Sequence, residues 1–156
     1  MRTKIDQILG WVLAFLMAVM TLDVIWGVFT RYLLGAQASW SEELARYLLI
    51  WIGVLGAGYA AGQKLHLAID LLPSRLEGVQ KRNLNRLISG LVLFFATVVF
   101  LIGGSRLVYI TWFLGQTSAA LRIPLAVVYA ILPLTGVLVL YYKLADLLSA
   151  DTKTAE

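Results

Sequence analysis

The 156 residues contain no cysteine, one histidine and three prolines, and only 14% of them are charged. Without cysteine there is no disulfide, no thiolate metal site and no dithiol chemistry of the kind some small four-helix membrane enzymes perform. His66 alone cannot supply the paired axial ligands of a membrane di-haem cytochrome. No Ser/His/Asp set, HExxH motif or phosphate-cradling glycine loop occurs, so neither an enzyme nor a resident cofactor is expected. Also missing is a matched pair of Gly/Pro-broken, polar-lined helices, the mark of a secondary transporter built from repeats. What fills the space is apolar: 60% of the chain is hydrophobic. A soluble domain of that composition would leave too much apolar surface facing water, so lipid is the expected surrounding. The net charge of +4 is not a nucleic-acid footprint, because the basic residues sit at the ends of apolar runs.

At about 20 residues per span, the length suits four transmembrane helices with modest connectors. The expected fold is an all-α integral membrane protein forming a single domain over 1–150, with a polar tail at 151–156. Spans are expected at about 8–30, 40–62, 84–106 or longer, and 123–143. The first run follows a short basic start and is too long for a secretory signal, so it reads as an uncleaved helix. Ser39-Trp40-Ser41-Glu42 has the spacing of a capping box at the start of the second helix. Within that helix Gly53, Ala57 and Ala61 recur every four residues, and Gly58 and Gly62 form a GxxxG. Such a face serves either internal packing or contact with a larger partner.

Residues 63–86 are polar but carry apolar residues at helical spacing, which predicts an amphipathic segment on the membrane surface, broken near Pro73. His66 and Asp70 lie in this interfacial arm, as plain interfacial residues or as a pH- or ion-responsive pair. Whether the third helix continues past Gly103-Gly104 is open. Pro124 suits the first turn of the fourth helix, and Pro133 predicts a kink. Placing both termini and the 63–86 connection in the cytoplasm collects most of the Lys and Arg there, as membrane topology requires.

Asp23 is the most conspicuous polar residue, because a carboxylate inside a span costs roughly 2.5–3.5 kcal/mol even on a lenient scale. Its depth, counted along the helices, matches that of Arg46 and Arg106 and predicts an intramembrane cluster of the three. That cluster would be a structural ion pair, a proton-coupling site or a contact with another subunit. Trp40, Glu42, Glu43 and Arg46 gather at the outer end of the second helix. They either cap and solvate that end, with Arg46 four residues after Glu42 in a favourable order for an ion pair, or form a docking patch.

Arg31-Tyr32, the run Ser39-Trp40-Ser41-Glu42-Glu43-Leu44-Ala45-Arg46-Tyr47, Trp51, Gly56-Ala57 and His66-Leu67-Ala68-Ile69-Asp70 together closely resemble a known signature. It is that of the small membrane subunit, DctQ type, of tripartite ATP-independent periplasmic (TRAP) transporters. Ile123-Pro124-Leu125, Tyr129 and Leu132-Pro133 resemble the same family's pattern in its fourth helix. Asp23 and Arg106 fall outside the matching motifs. The resemblance implies a non-catalytic scaffold in the bacterial inner membrane, packed beside a large subunit that carries substrate by an ion-coupled, usually sodium-coupled, elevator movement. It also implies a periplasmic substrate-binding protein, often for organic acids, with Trp40, Glu42, Glu43 and Arg46 as candidates for its docking or for the nearby subunit contact. Neither these residues nor the His66–Asp70 arm should touch substrate. The competing reading is a self-sufficient small exporter, acting as a homodimer with Asp23 as its proton-coupling carboxylate.

The cysteine-free sequence allows a direct topology check. A single cysteine replacing Gln116 should react with an impermeant maleimide in intact cells, and one replacing Thr154 only after permeabilisation. The opposite pattern would reverse the orientation.

Overall fold

A computed structural model describes residues 2–36, 38–63 and 78–152. They form α1 (Arg2–Leu33), α2 (Ser39–Gly62), α3 (Gly78–Phe95), a π-helical stretch (Ala96–Gly103), α4 (Gly104–Phe113), α5 (Leu125–Tyr129) and α6 (Ile131–Thr152). Four stretches are long and apolar enough to cross a membrane: Thr3–Leu33, Ser39–Gly62, Leu87–Phe113 and Leu125–Ala145. The all-α, four-span expectation therefore holds. The arm that carries His66 and Asp70 lies outside the described residues, as does the tail beyond Thr152. Residues 78–86 are helical and run without a break into the third span, whose apolar stretch begins at Leu87.

Three local features settle or shift details of the expected spans. First, Gly103-Gly104 does not break the third helix, which runs on into α4 through the π-helical stretch. These wider turns lie where the fourth span presses closest. A Cβ on Gly104 would stand 2.8 Å from Leu132 Cβ, and one on Gly136 would stand 2.9 Å from Phe100 Cβ and 3.2 Å from the Leu101 nitrogen. Glycine here permits helix contact, as small residues do in lipid.

Second, the fourth span breaks at Ala130, one turn before Pro133. Proline lacks the N–H and its ring crowds the carbonyl four residues earlier, here that of Tyr129. The Val128 carbonyl beside the break accepts a hydrogen bond from the Trp51 indole at 3.0 Å, which ties α2 to this irregular turn. Third, Pro124 is the N-cap of α5, with extended backbone, and Leu125 is the first helical residue.

The spans pack in the order first, second, fourth, third. The α1 backbone packs against α2 alone, α2 packs against α6, and α6 packs against the π-helical stretch. Among the described residues no backbone contact joins the first span to the third, so the helices form an open row and not a closed ring. The centre of the row is the α2–α6 seam. A Cβ on Gly58 would meet Thr135 at 2.7 Å, and one on Gly62 would meet the ring of Tyr142 at 2.6 Å. Tyr142 is fully buried and its hydroxyl bonds to Asp6, which ties α1 to α6 across the end of α2. The buried apolar core is correspondingly small, centred on Leu9, Leu55, Ile131 and Tyr142.

The third–fourth contact has little slack, because the neighbours of Gly136 include a Cβ and backbone, which cannot swing aside as the far end of a side chain can. Gly136→Ala should lower stability by about 1–3 kcal/mol, the usual cost of overpacking. Gly53→Ala, with nothing within 4 Å of the new Cβ, should be neutral or slightly stabilising. Thermal unfolding of the purified protein in detergent compares the two.

Candidate functional site

The end of the row that carries the α1–α2 and α4–α5 connections holds most of the organised polar chemistry. The connection after α4 is a compact loop. Gly115 turns it at φ 60°, the Ser118 N–H donates to the Ile123 carbonyl at 2.9 Å, and the Leu125 N–H donates to the Gln116 carbonyl at 2.9 Å. Arg122 adopts φ 57°, uncommon for a residue with a side chain. The Arg122 N–H in turn reaches the Ser118 carbonyl at 3.2 Å. The result is a tight crest whose successive amides converge.

Glu43 of α2 reaches into that crest. Its Oε2 accepts from the N–H of Ala120 at 2.8 Å, the N–H of Leu121 at 2.9 Å and the Ser118 hydroxyl at 3.1 Å. Its Oε1 accepts from the N–H of Ala119 and the hydroxyl of Tyr47, both at 3.0 Å. Five donors thus meet one carboxylate, an arrangement that suits negative charge. Glu43 is engaged inside the molecule, where docking and capping were the two expectations for it. Its loop partners lie 75 to 78 positions away in sequence, so no local spacing could have revealed them. Only Tyr47, four residues on in the same helix, is a local partner.

The capping box does not form. Ala38 is the N-cap, α2 opens at Ser39, and no side chain caps it. Ser41 donates instead to the Asp23 carbonyl at 3.1 Å. Glu42 turns outward to Arg46 at 3.2 Å, with the two side chains 64% and 65% exposed. An exposed i,i+4 pair of this kind contributes little stability. With Trp40, 43% exposed, this pair leaves an accessible patch on the first turns of α2.

The expected cluster of Asp23, Arg46 and Arg106 is not assembled. Asp23 is 6% exposed, and neither carboxylate oxygen has a hydrogen-bond partner among the described residues. Equal depth along the helices did not mean equal direction. Asp23, Gly27 and Thr30 are buried on one face of α1, where the Thr30 hydroxyl donates to the Gly27 carbonyl at 3.0 Å. Arg46 is exposed and paired with Glu42, and Arg106 belongs to a span that does not meet α1.

The small-residue face of α2 divides. Gly58, Ala61 and Gly62 are buried, the two glycines against α6. Gly53 and Ala57 are exposed, in line with Glu42, Arg46 and Leu49 along the helix. Among the described residues no group of three or more His, Asp or Glu side chains could hold a metal ion. At the other end of the row an open cleft of about 590 Å³ lies between Gly10 and Trp11 of α1 and Tyr59 of α2 with Gln63, the residue that follows that helix.

Residues 17–153 match the family model for tripartite ATP-independent periplasmic transporters, DctQ component. The chain belongs to that family. It is similar to the C4-dicarboxylate TRAP transporter small permease protein DctQ of Rhodobacter capsulatus, 27% identical over 64% of this chain and 44% of the relative. It is also similar to the isethionate TRAP transporter permease protein DctMQ of Oleidesulfovibrio alaskensis, 29% identical over 72% of this chain and 18% of the relative. With the ectoine TRAP transporter small permease protein TeaB of Halomonas elongata it shares 28% identity over 96% of this chain and 79% of the relative. The chain thus spans less than half of the first two relatives. As a DctQ component it is a transporter permease subunit and not an enzyme, and its four apolar helices make it a multi-pass protein of the bacterial inner membrane.

For this DctQ component the unpaired Asp23 generates a test. A buried polar group without a partner costs on the order of 1–3 kcal/mol, and an apolar replacement of similar size removes that cost. Asp23→Leu should therefore leave the melting temperature unchanged or raise it. A clear fall would mean that the carboxylate is held by a partner after all.

Proposed function

We propose that this chain is the small, non-catalytic membrane subunit of a TRAP transporter. It stands as a fixed scaffold beside a large ion-coupled, elevator-type subunit and helps to dock a periplasmic substrate-binding protein. The observation that carries the reading is the open row of spans. Such a row encloses no polar path among the described residues, yet it exposes a wide apolar surface along the first and third spans. That surface suits lipid and a larger membrane neighbour. The relative named DctMQ, of which this chain spans 18%, supports a larger partner in the same machine.

The excess of Lys and Arg at the other end supports a periplasmic position for the Glu43-braced loop and both termini in the cytoplasm. Trp40, Glu42 and Arg46 then form the docking patch, with Glu43 holding the loop after α4 in place. The names of the relatives, for C4-dicarboxylate, isethionate and ectoine, support a small polar organic solute, organic acids foremost, as cargo. Sodium is the proposed coupling ion. His66 and Asp70 keep their proposed place in an arm at the cytoplasmic boundary. The rival exporter reading retains one observation in its favour, the buried and unpaired Asp23 carboxylate.

Proteoliposomes separate the two readings. The chain alone should give no solute flux, and flux should need the large subunit and the binding protein together. Flux by the chain alone would remove the scaffold reading. In the full system Trp40→Ala with Glu42→Lys should reduce uptake several-fold, with melting temperature and insertion unchanged, since both side chains are exposed. Normal uptake by that variant would return the patch to simple solvation of a helix end.

A further inference from the structure

The crest between α4 and α5 is built by its own backbone. The bonds from Ser118 to Ile123, from Arg122 to Ser118 and from Leu125 to Gln116 close within the loop, without Glu43. They leave the amides of Ala119, Ala120 and Leu121 and the hydroxyl of Ser118 directed at one place, and a carboxylate fills it. Concave sets of successive N–H groups bind anions generally. The division of donors is specific: the Ala119 amide serves one oxygen, while Ser118, Ala120 and Leu121 serve the other. A planar, two-oxygen anion matches that division, and a spherical halide does not.

We propose that residues 118–121 are a carboxylate-binding site in their own right, occupied by the Glu43 side chain as a tethered ligand. When that side chain is removed, a small monocarboxylate from solution takes its place. Ala119 and Ala120 are exposed, so the site opens to the surface of the chain. Glu43 is in consequence a positioning residue: it fixes the loop on the first turns of α2, the same turns that carry Trp40, Glu42 and Arg46, and need not touch a partner itself. The site requires nothing of the partner proteins, so its failure would leave the transport reading standing.

The test uses the full chain in detergent, with amide hydrogen exchange and thermal unfolding as readouts. Glu43→Ala should speed exchange at Ala119, Ala120 and Leu121 by roughly tenfold or more, the loss of protection expected when charge-assisted bonds are removed. Formate or acetate should restore protection in a saturable way, and chloride at equal ionic strength should not. Glu43→Gln fills the same space with an amide, so its exchange should rise but stay insensitive to formate. If Glu43→Ala does not fold, formate or acetate present throughout purification should recover folded protein where chloride cannot. The proposal is overturned by unchanged exchange in Glu43→Ala, by equal effects of chloride and formate, or by equal formate responses in both variants.

Discussion

The close approach of α2 to α6 is the contact on which the whole row hangs. In lipid, apolar side chains gain nothing by leaving one hydrocarbon environment for another, so helices associate where backbones come near and dispersion contacts multiply. Gly58 and Gly62 let α6 settle directly onto α2, with Thr135 and Tyr142 in the space their side chains would have taken. The first span is carried on the outer side of α2 and the third on the far side of α6, through Gly104 and Gly136. With one backbone neighbour for each outer span, most of their apolar area faces outward. This openness suits a component that lies against something larger, and not a bundle that folds around its own substrate path.

The polar groups follow the same geometry. At the terminal end, the hydroxyl of buried Tyr142 bonds to Asp6 and closes α1 onto α6. At the loop end, Glu43 joins α2 to the crest between α4 and α5, bridging elements that apolar packing alone would hold less firmly. Between them Asp23 stands buried on the α1–α2 face without a partner among the described residues. Two satisfied clamps thus bind the ends of the row, while one carboxylate is left unsatisfied within a span. A group in that position calls for an explanation other than stability.

The helices were legible in the residues because their signal is additive: a long apolar run needs no partner to be recognised. Boundaries set by chain chemistry were readable for the same reason, as with Pro124 at the start of the fourth span. Breaks were not. Gly103-Gly104 looks like a weak point until Leu132 and Pro133 are seen packed against it, and the effect of Pro133 falls on the carbonyl four residues back. At the site, Glu42 with Arg46 could be paired from their spacing, and the helix delivers that pair. Glu43 could not, because a capping or docking role and an internal clamp require the same residue type at the same place.

What the sequence determined by itself was therefore whatever depends on distance along the chain: an all-α membrane protein, four spans, the Glu42–Arg46 pair and the motifs that place it among DctQ components. What only the tertiary structure decided was direction around each helix. Depth can be counted at roughly 1.5 Å per residue, but facing cannot be counted. Asp23 turns toward α2 and away from both arginines, Gly58 and Gly62 turn inward while Gly53 turns out, and Glu43 meets amides from the far end of the chain. The helices' facings are fixed by which backbones can approach, a property of pairs of helices and of no single segment.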